Sequence, residues 1–193
     1  MKDQGFKKRR KKTATESLKN ETDSAKVAVY KIPEEKEQIV AEPAALQFET
    51  NNFVSNLRVL KNSASKPESQ MTSFEKIGMI KEGISKNDLE NLKEKTGFDY
   101  HQLSKVLSVA RATLINKKGN DRFDISISEK IVSVADIYSY GYEVFEDESR
   151  FNDWIFRANA ALGGQSPFDL LDSQYGREEI KNLIGRIDYG VYS

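Results

Sequence analysis

The side chains that could carry out catalysis are few in this chain of 193 residues. His101 is the only histidine and there is no cysteine, so His101 has no partner for a metal site and reads as a surface residue. The acidic residues at 146–148 and 178–179 fall on positions typical of a solvated helix surface. No glycine-rich phosphate loop and no nucleophile elbow is present. We therefore predict that the protein is not an enzyme and has no catalytic residue, no metal and no cofactor.

Basic and amide side chains lie close together at residues 111–118, where their chemistry suits DNA. Residues 100–117 have the layout of a helix-turn-helix, and a short helix that offers Arg, Asn and Lys has the right size for the major groove. Short capped helices also occur in any small helical domain, so a plain helical bundle remains the alternative. The candidate DNA-binding residues are Arg111, Thr113, Asn116, Lys117 and Lys118.

The net charge is zero but unevenly distributed. Residues 1–70 carry 14 Lys and Arg against 10 Asp and Glu, residues 71–126 carry 10 against 8, and residues 127–193 carry 6 against 12. We expect nucleic-acid contacts only in the first two thirds. No apolar run approaches ~18 residues and none follows the basic start, so we expect neither a membrane span nor a secretory signal. The absence of cysteine fits a reducing cytoplasm.

The first 70 residues are rich in Lys, Glu, Ser, Asn and Thr and lack a sustained apolar period, which predicts a mostly disordered tail. Its basic run at residues 7–12 is either a solubilising tail or a non-specific phosphate-binding arm. Order is expected from Met71 onwards. We expect a helix-turn-helix domain over residues 71–125 and a second helical domain over residues 126–193.

The ordered part is predicted to be all-α, because capping residues recur before each apolar period. Helices are expected over about 85–96, 99–107 and 110–118. A longer one of about 20 residues follows, and it could form a dimer seam. Another helix is expected to run to about Leu162, before a Gly-Gly turn, and Pro167 fits the first position of the next helix. The predicted N-caps are Ser85, Asp99, Ser126, Ser149, Ser166 and Ser173.

A resemblance to a known family rests on motifs in the second half of the chain. An aromatic-rich helix ends at residues 143–145, and Trp154 follows an acidic loop. Asn-Ala-Ala-Leu-Gly-Gly at residues 159–164 precedes Ser-Pro-Phe-Asp-Leu-Leu-Asp at residues 166–172. Leu-Ile-Gly-Arg-Ile at residues 183–187 precedes the terminus. In this order and spacing, residues 71–193 resemble the Xre-type antitoxins of RES–Xre toxin–antitoxin systems, and the C-terminal part resembles the Xre/MbcA/ParS toxin-binding domain.

The resemblance implies a bacterial antitoxin that forms a homodimer and blocks the active site of a RES-domain toxin. Toxins of that family consume NAD or transfer ADP-ribose from it. The resemblance also implies repression of the antitoxin's own promoter through the helix-turn-helix. A helical DNA-binding or adaptor protein without a cognate toxin is the alternative. The C-terminal residues that the resemblance places against the toxin are Arg186, Tyr189, Gly190, Val191 and Tyr192.

The helix-turn-helix departs from the family pattern at its turn. Ser108 stands where the family commonly has a glycine, which adopts a left-handed turn at a lower cost, by about 1 kcal/mol. Ala110 stands where the family has a serine N-cap, a loss of about 1 kcal/mol more. Ala112 and Asn116 replace arginines of the recognition helix. The resemblance therefore supports toxin binding more strongly than promoter recognition.

Overall fold

The computed structural model describes residues 57–62 and 64–190, and the basic run at residues 7–12 lies outside that part of the chain. The described part is helical, and its one isolated β-bridge pairs Ser85 with Arg122. The all-α prediction is therefore confirmed. Two 3-10 helices, Glu68–Gln70 and Ala160–Leu162, accompany eight α-helices: α1 Ser73–Glu82, α2 Lys86–Thr96, α3 Tyr100–Val106, α4 Arg111–Asn116, α5 Ile125–Phe145, α6 Glu148–Trp154, α7 Pro167–Leu170 and α8 Gln174–Asp188.

The long helix α5 is the centre of the core. Its apolar face is buried from Ile127 through Tyr138 to Tyr142, as the helical period requires. It packs against α1, α6 and α8, so elements from both halves of the described chain share this one helix. The predicted domain boundary between residues 125 and 126 falls at its first residue and stays a prediction.

Aromatic rings fill the space between α5 and α6. Tyr138, Tyr142 and Phe151 meet edge to face, with ring centroids 5.2–5.8 Å apart, the preferred geometry for such pairs. Gly141 permits this contact, because a Cβ atom there would lie 2.2 Å from the ring of Phe151. The two helices are thus held at a distance that only glycine allows.

The ordered part of the chain begins earlier than predicted. Leu57, Val59 and Leu60 are buried in the core. The fully buried carboxylate of Glu68 accepts hydrogen bonds from the backbone N–H groups of Val59 and Leu60. The expected tail over residues 1–70 therefore needs correction at its end, because a long-range carboxylate contact supplies the order that local sequence pattern lacks.

Four of the predicted N-caps are confirmed, and two helices begin elsewhere. Side chains of Ser85, Asp99, Ser166 and Ser173 each accept an N–H of their own helix. The prediction for Ser126 was wrong because Asp124 caps α5, and the prediction for Ser149 was wrong because Asp147 caps α6. Helix α6 also ends at Trp154 rather than near Leu162, where a separate 3-10 helix lies.

The apolar side chains of α1 do not all face the core. Met79 is buried, whereas Phe74 is 86% exposed and Ile77 is 44% exposed. A capping box between Thr72 and Glu75 starts this helix. The helix is therefore stabilised by its cap and by one apolar edge. The helical spacing of Phe74 and Ile77 does not identify its buried side.

Candidate functional site

The turn between α3 and α4 has the strained geometry that its sequence predicts. Ser108 adopts φ +50°, in the left-handed region that disfavours a residue with a Cβ atom. Ala110 is the N-cap of α4 and makes no side-chain capping bond. Ser108 therefore stands where a glycine would be less strained, and Ala110 stands where a serine would cap the helix.

The predicted DNA-binding residues lie together at α4 and the loop after it. Arg111, Thr113, Asn116 and Lys118 are exposed, while Leu114 anchors the helix in the core. The helix ends at Asn116, two residues before the predicted end. Lys117 and Lys118 consequently extend from the loop that follows.

Lys117 is the least exposed of these side chains. It is half-buried, with its ammonium 5.5 Å from the centre of the Phe123 ring. This distance suits a cation–π contact, which holds the charge near the end of α4. The surface thus offers donors of the kind that contact bases and phosphates.

Two contacts join α3 and the turn after it to the segment that runs from α7 to the start of α8. Lys105 of α3 forms an ion pair with Asp169 of α7 at 3.0 Å. Ser108 donates its hydroxyl to the carbonyl oxygen of Asp172 at 3.3 Å. The pKa of the Asp169 carboxyl is lowered by a hydrogen bond from Ser166 and by the one from Lys105. The helix-turn-helix and the C-terminal helices are therefore in direct contact.

The second candidate surface is the C-terminal end of α8. Ile180, Leu183 and Ile184 bury one face of the helix, and Tyr189, just past its end, is 83% exposed. The exposed side borders an open groove of about 560 Å³. The groove is lined by Glu179, Lys181, Asn182, Gly185, Arg186 and Tyr189.

The residues predicted to contact a toxin fall at this end of α8 as far as the structure describes them. Arg186 is half-buried, and its Nε atom has no hydrogen-bond partner within the described residues. Gly190 ends the helix with φ +68°, a conformation natural for glycine at a helix end. Val191 and Tyr192 lie outside the described residues.

A buried carboxylate that the sequence analysis missed holds α8 in place. Asp136 of α5 accepts from Lys76 of α1 and from Lys181 of α8, each at 2.7 Å. Further along, the Tyr140 hydroxyl donates to Asp188 at 3.2 Å. Burial and then the charge of Asp188 raise the pKa of Tyr140. Asp136 is the single acidic residue within the apolar stretch of residues 131–138, and this position is the sequence signal that could have indicated its buried contacts.

Metal-ligand clusters and membrane-spanning helices are absent from the described residues. His101 is exposed. Within the described ranges, no three His, Asp or Glu side chains cluster in a way that could hold a metal ion. No helix of the described residues is long and apolar enough to cross a membrane.

Comparison with known families matches two parts of the chain to domains of one class of protein. Residues 75–136 match the antitoxin Xre-like helix-turn-helix domain. Residues 141–190 match the antitoxin Xre/MbcA/ParS C-terminal toxin-binding domain. The two matches define an antitoxin in which a helix-turn-helix precedes a toxin-binding domain. The chain therefore carries both domains of the Xre-type antitoxins, and the resemblance seen in the sequence is confirmed.

The matches to three named relatives each cover most of the relative's length. The Prs ADP-ribosylating antitoxin of Sphingobium sp. strain YBL2 is 25% identical over 130 residues, which are 62% of this chain and 81% of the relative. Antitoxin Xre of Yersinia enterocolitica is 25% identical over 119 residues, 61% of this chain and 80% of the relative. Antitoxin Xre of Photorhabdus laumondii is 21% identical over 117 residues, 60% and 79% respectively.

Proposed function

We propose that this antitoxin neutralises a RES-domain toxin by laying the C-terminal end of α8 over the toxin's active site. The observation that carries the proposal is the exposure of Tyr189, 83%, beside the half-buried Arg186. Tyrosine and arginine are enriched among residues that dominate binding energy at protein interfaces. The toxin-binding domain matched over residues 141–190 ends at this same surface.

The target of this block is proposed to be a toxin that consumes NAD or transfers ADP-ribose from it. The name of one relative, Prs ADP-ribosylating antitoxin, supports that chemistry. Neutralisation needs no reaction by the antitoxin, because covering an active site excludes the substrate sterically. The chain is therefore proposed to act as a non-enzymatic inhibitor in the cytoplasm.

A second function, repression of its own promoter, is supported by the exposed row on α4. Arg111 and Asn116 are side chains suited to base edges, and Lys118 to phosphates. The protein is proposed to bind DNA as a homodimer, since helix-turn-helix dimers place two recognition helices one turn of DNA apart. The contacts of Lys105 with Asp169 of α7 and of Ser108 with Asp172, just before α8, support a role for the toxin as co-repressor.

The proposal predicts a RES-domain toxin in the neighbouring reading frame, and co-expression with that toxin tests it. The full chain should restore growth, and a chain ending at Asp188 should fail. Tyr175→Ala provides the control, because Tyr175 is 80% exposed at the opposite end of the same helix. Full rescue by the truncated chain would refute the block by the C-terminal end.

A further inference from the structure

The carbonyl group of Leu114, in the last turn of α4, lacks its usual helical partner. In a continuing helix it would accept from the N–H of Lys118. That N–H instead donates to the carboxylate of Asp121 at 2.9 Å. The Nζ atom of Lys86, a residue of α2 that is only 6% exposed, donates to the Leu114 oxygen at 2.7 Å. A buried lysine from outside the helix-turn-helix pair therefore caps the recognition helix.

The same ammonium group also holds the first helix of the pair. Nζ of Lys86 donates to the hydroxyl of Tyr100, the first residue of α3, at 2.6 Å. It forms an ion pair with Glu90 at 2.6 Å, and Tyr100 in turn donates to Glu90. The three N–H donors of the ammonium thus have three acceptors. Burial by itself would raise the pKa of Glu90, but the hydrogen bonds from Lys86 and Tyr100 lower it.

The backbone at the start of α2 forms hydrogen bonds with the loop that follows α4. The N–H of Lys86 donates to the carbonyl oxygen of Asp121, and the N–H of Asn87 donates to that of Gly119, both at 2.9 Å. The side-chain amide of Asn87 donates to Asn120 at 3.0 Å. This loop carries Lys118. The start of α2 and the end of the DNA-facing surface therefore form one hydrogen-bonded unit.

We propose that Lys86 is a positioning residue for sequence-specific DNA binding, which sets the orientation of α4 without touching DNA. The inference rests on the proposed DNA-binding function. Because the ammonium is buried, it contacts no phosphate, so its loss should misalign base-reading side chains and leave the phosphate contacts in place. Loss of the Lys86 ammonium should therefore weaken specific binding and leave non-specific binding unchanged, since base contacts specify the sequence whereas phosphate contacts only position the protein.

Lys86→Met in the full chain tests this role, with Lys93→Met as the matched control. Lys93 lies on the same helix with its ammonium 5.4 Å from the centre of the Tyr100 ring, but it makes no bond to Leu114. The probes are a duplex of the chain's own upstream DNA and an unrelated duplex of equal length. Lys86→Met should lower affinity for the upstream duplex about tenfold, the scale of one lost base contact, and leave the unrelated duplex unaffected. Lys93→Met should bind both duplexes like the unaltered chain.

Two further readouts separate positioning from charge loss and from unfolding. The slope of log K against log salt should stay unchanged in Lys86→Met, whereas Lys117→Ala should reduce it by about one. Without DNA, amide hydrogen exchange in Lys86→Met should speed up in α4 and residues 117–121 but not in α8. An unchanged exchange pattern, an equal loss of affinity for both duplexes, or unchanged discrimination would overturn the proposal.

The DNA-binding function itself fails in a different way. An unaltered chain that binds the upstream duplex no better than the unrelated one would refute specific DNA binding, and with it the role of Lys86 in that binding. The exchange measurement would then report only whether Lys86 holds α4. Failure of Lys86→Met to change discrimination, in a protein whose unaltered form discriminates, would refute the role of Lys86 alone.

Discussion

Ser108 donates its hydroxyl to the main-chain carbonyl of Asp172 at 3.3 Å. Ser108 is the left-handed residue that turns the chain from α3 into α4, and Asp172 directly precedes the N-cap of α8. The turn that orients α4, the proposed DNA-binding helix, therefore touches the start of α8, the proposed toxin-binding helix. A movement of either helix is expected to alter this contact.

The stability contributed by that contact can be measured against a matched position. Glu146 is the other non-glycine residue with positive φ among the described residues, at +54°, and it ends α5. Glu146→Gly should raise the free energy of unfolding by about 1 kcal/mol through relief of the left-handed strain. Ser108→Gly should raise it by less, because the substitution also removes the bond to Asp172. Equal gains in urea denaturation would show that this bond contributes nothing.

An N-cap added to α4 should stabilise the protein. Ala110→Ser places a hydroxyl where it can accept from the N–H of residue 112 or 113, and we expect a gain of about 1 kcal/mol in the free energy of unfolding. Ala112→Ser is the control, because residue 112 lies within the helix and not at the N-cap, the position from which a hydroxyl accepts from the free N–H groups of the first turn. The two variants are compared by urea denaturation. Similar values for both would contradict the account of this helix start.

The fully buried hydroxyl of Tyr138 has no hydrogen-bond partner within the described residues, and burial raises the pKa of this side chain. Tyr138→Phe should therefore raise the free energy of unfolding by about 1 kcal/mol, the scale of a buried unsatisfied polar group. Tyr142→Phe should lower it by a similar amount, since the Tyr142 hydroxyl donates to the carbonyl of Lys95 at 2.7 Å. Thermal denaturation of the two variants tests this expectation. A loss of stability in Tyr138→Phe would contradict the finding that this hydroxyl has no partner within the described residues.

Acid should weaken the start of α1. A hydrogen bond from the backbone N–H of Thr72, followed by one from Lys66, lowers the pKa of Glu75 from 4.5 to about 2. A carboxyl whose pKa is lower in the folded state stabilises the fold above its unfolded pKa, and this contribution disappears as pH falls through the folded value. The stability difference between the unaltered chain and Glu75→Gln should therefore shrink between pH 5 and pH 2, limits set by about 4.5 and about 2.

The Glu75 carboxyl can also be followed directly by NMR titration. In the stability comparison with Glu75→Gln, the variant Glu82→Gln at the other end of α1 is the control for a general effect of removing a charge. An ordinary titration of Glu75 near pH 4.5 would show that the capping box is not formed in solution.

Local patterns were sufficient for much of the fold. The caps at Ser85, Asp99, Ser166 and Ser173 depend only on residues three positions away, so the sequence identifies them. The strained turn at Ser108 was likewise visible, because a left-handed position with a serine is a local property.

The cap of α5 was missed for a local reason: Ser126 and Glu129 resemble a capping box, but Asp124 accepts from the N–H of Ile127 and α5 begins at Ile125. Other errors arose where a distant residue decides. The burial of Leu57 and Leu60 depends likewise on the remote carboxylate of Glu68. Nothing in the spacing of residues 57–70 shows that contact. The role of Lys86 was missed for the same reason, since its acceptor at Leu114 lies 28 residues away.

The most direct measurement of the central claim is inhibition of the proposed RES-domain toxin by purified antitoxin variants. The readout is the consumption of NAD proposed for that toxin, followed at increasing antitoxin concentration. Arg186→Ala and Tyr189→Ala should each weaken inhibition about 30-fold, corresponding to a hot-spot loss of about 2 kcal/mol. Tyr175→Ala should inhibit like the unaltered chain. Unchanged inhibition by the double variant of Arg186 and Tyr189 would contradict a toxin block by the C-terminal end of α8.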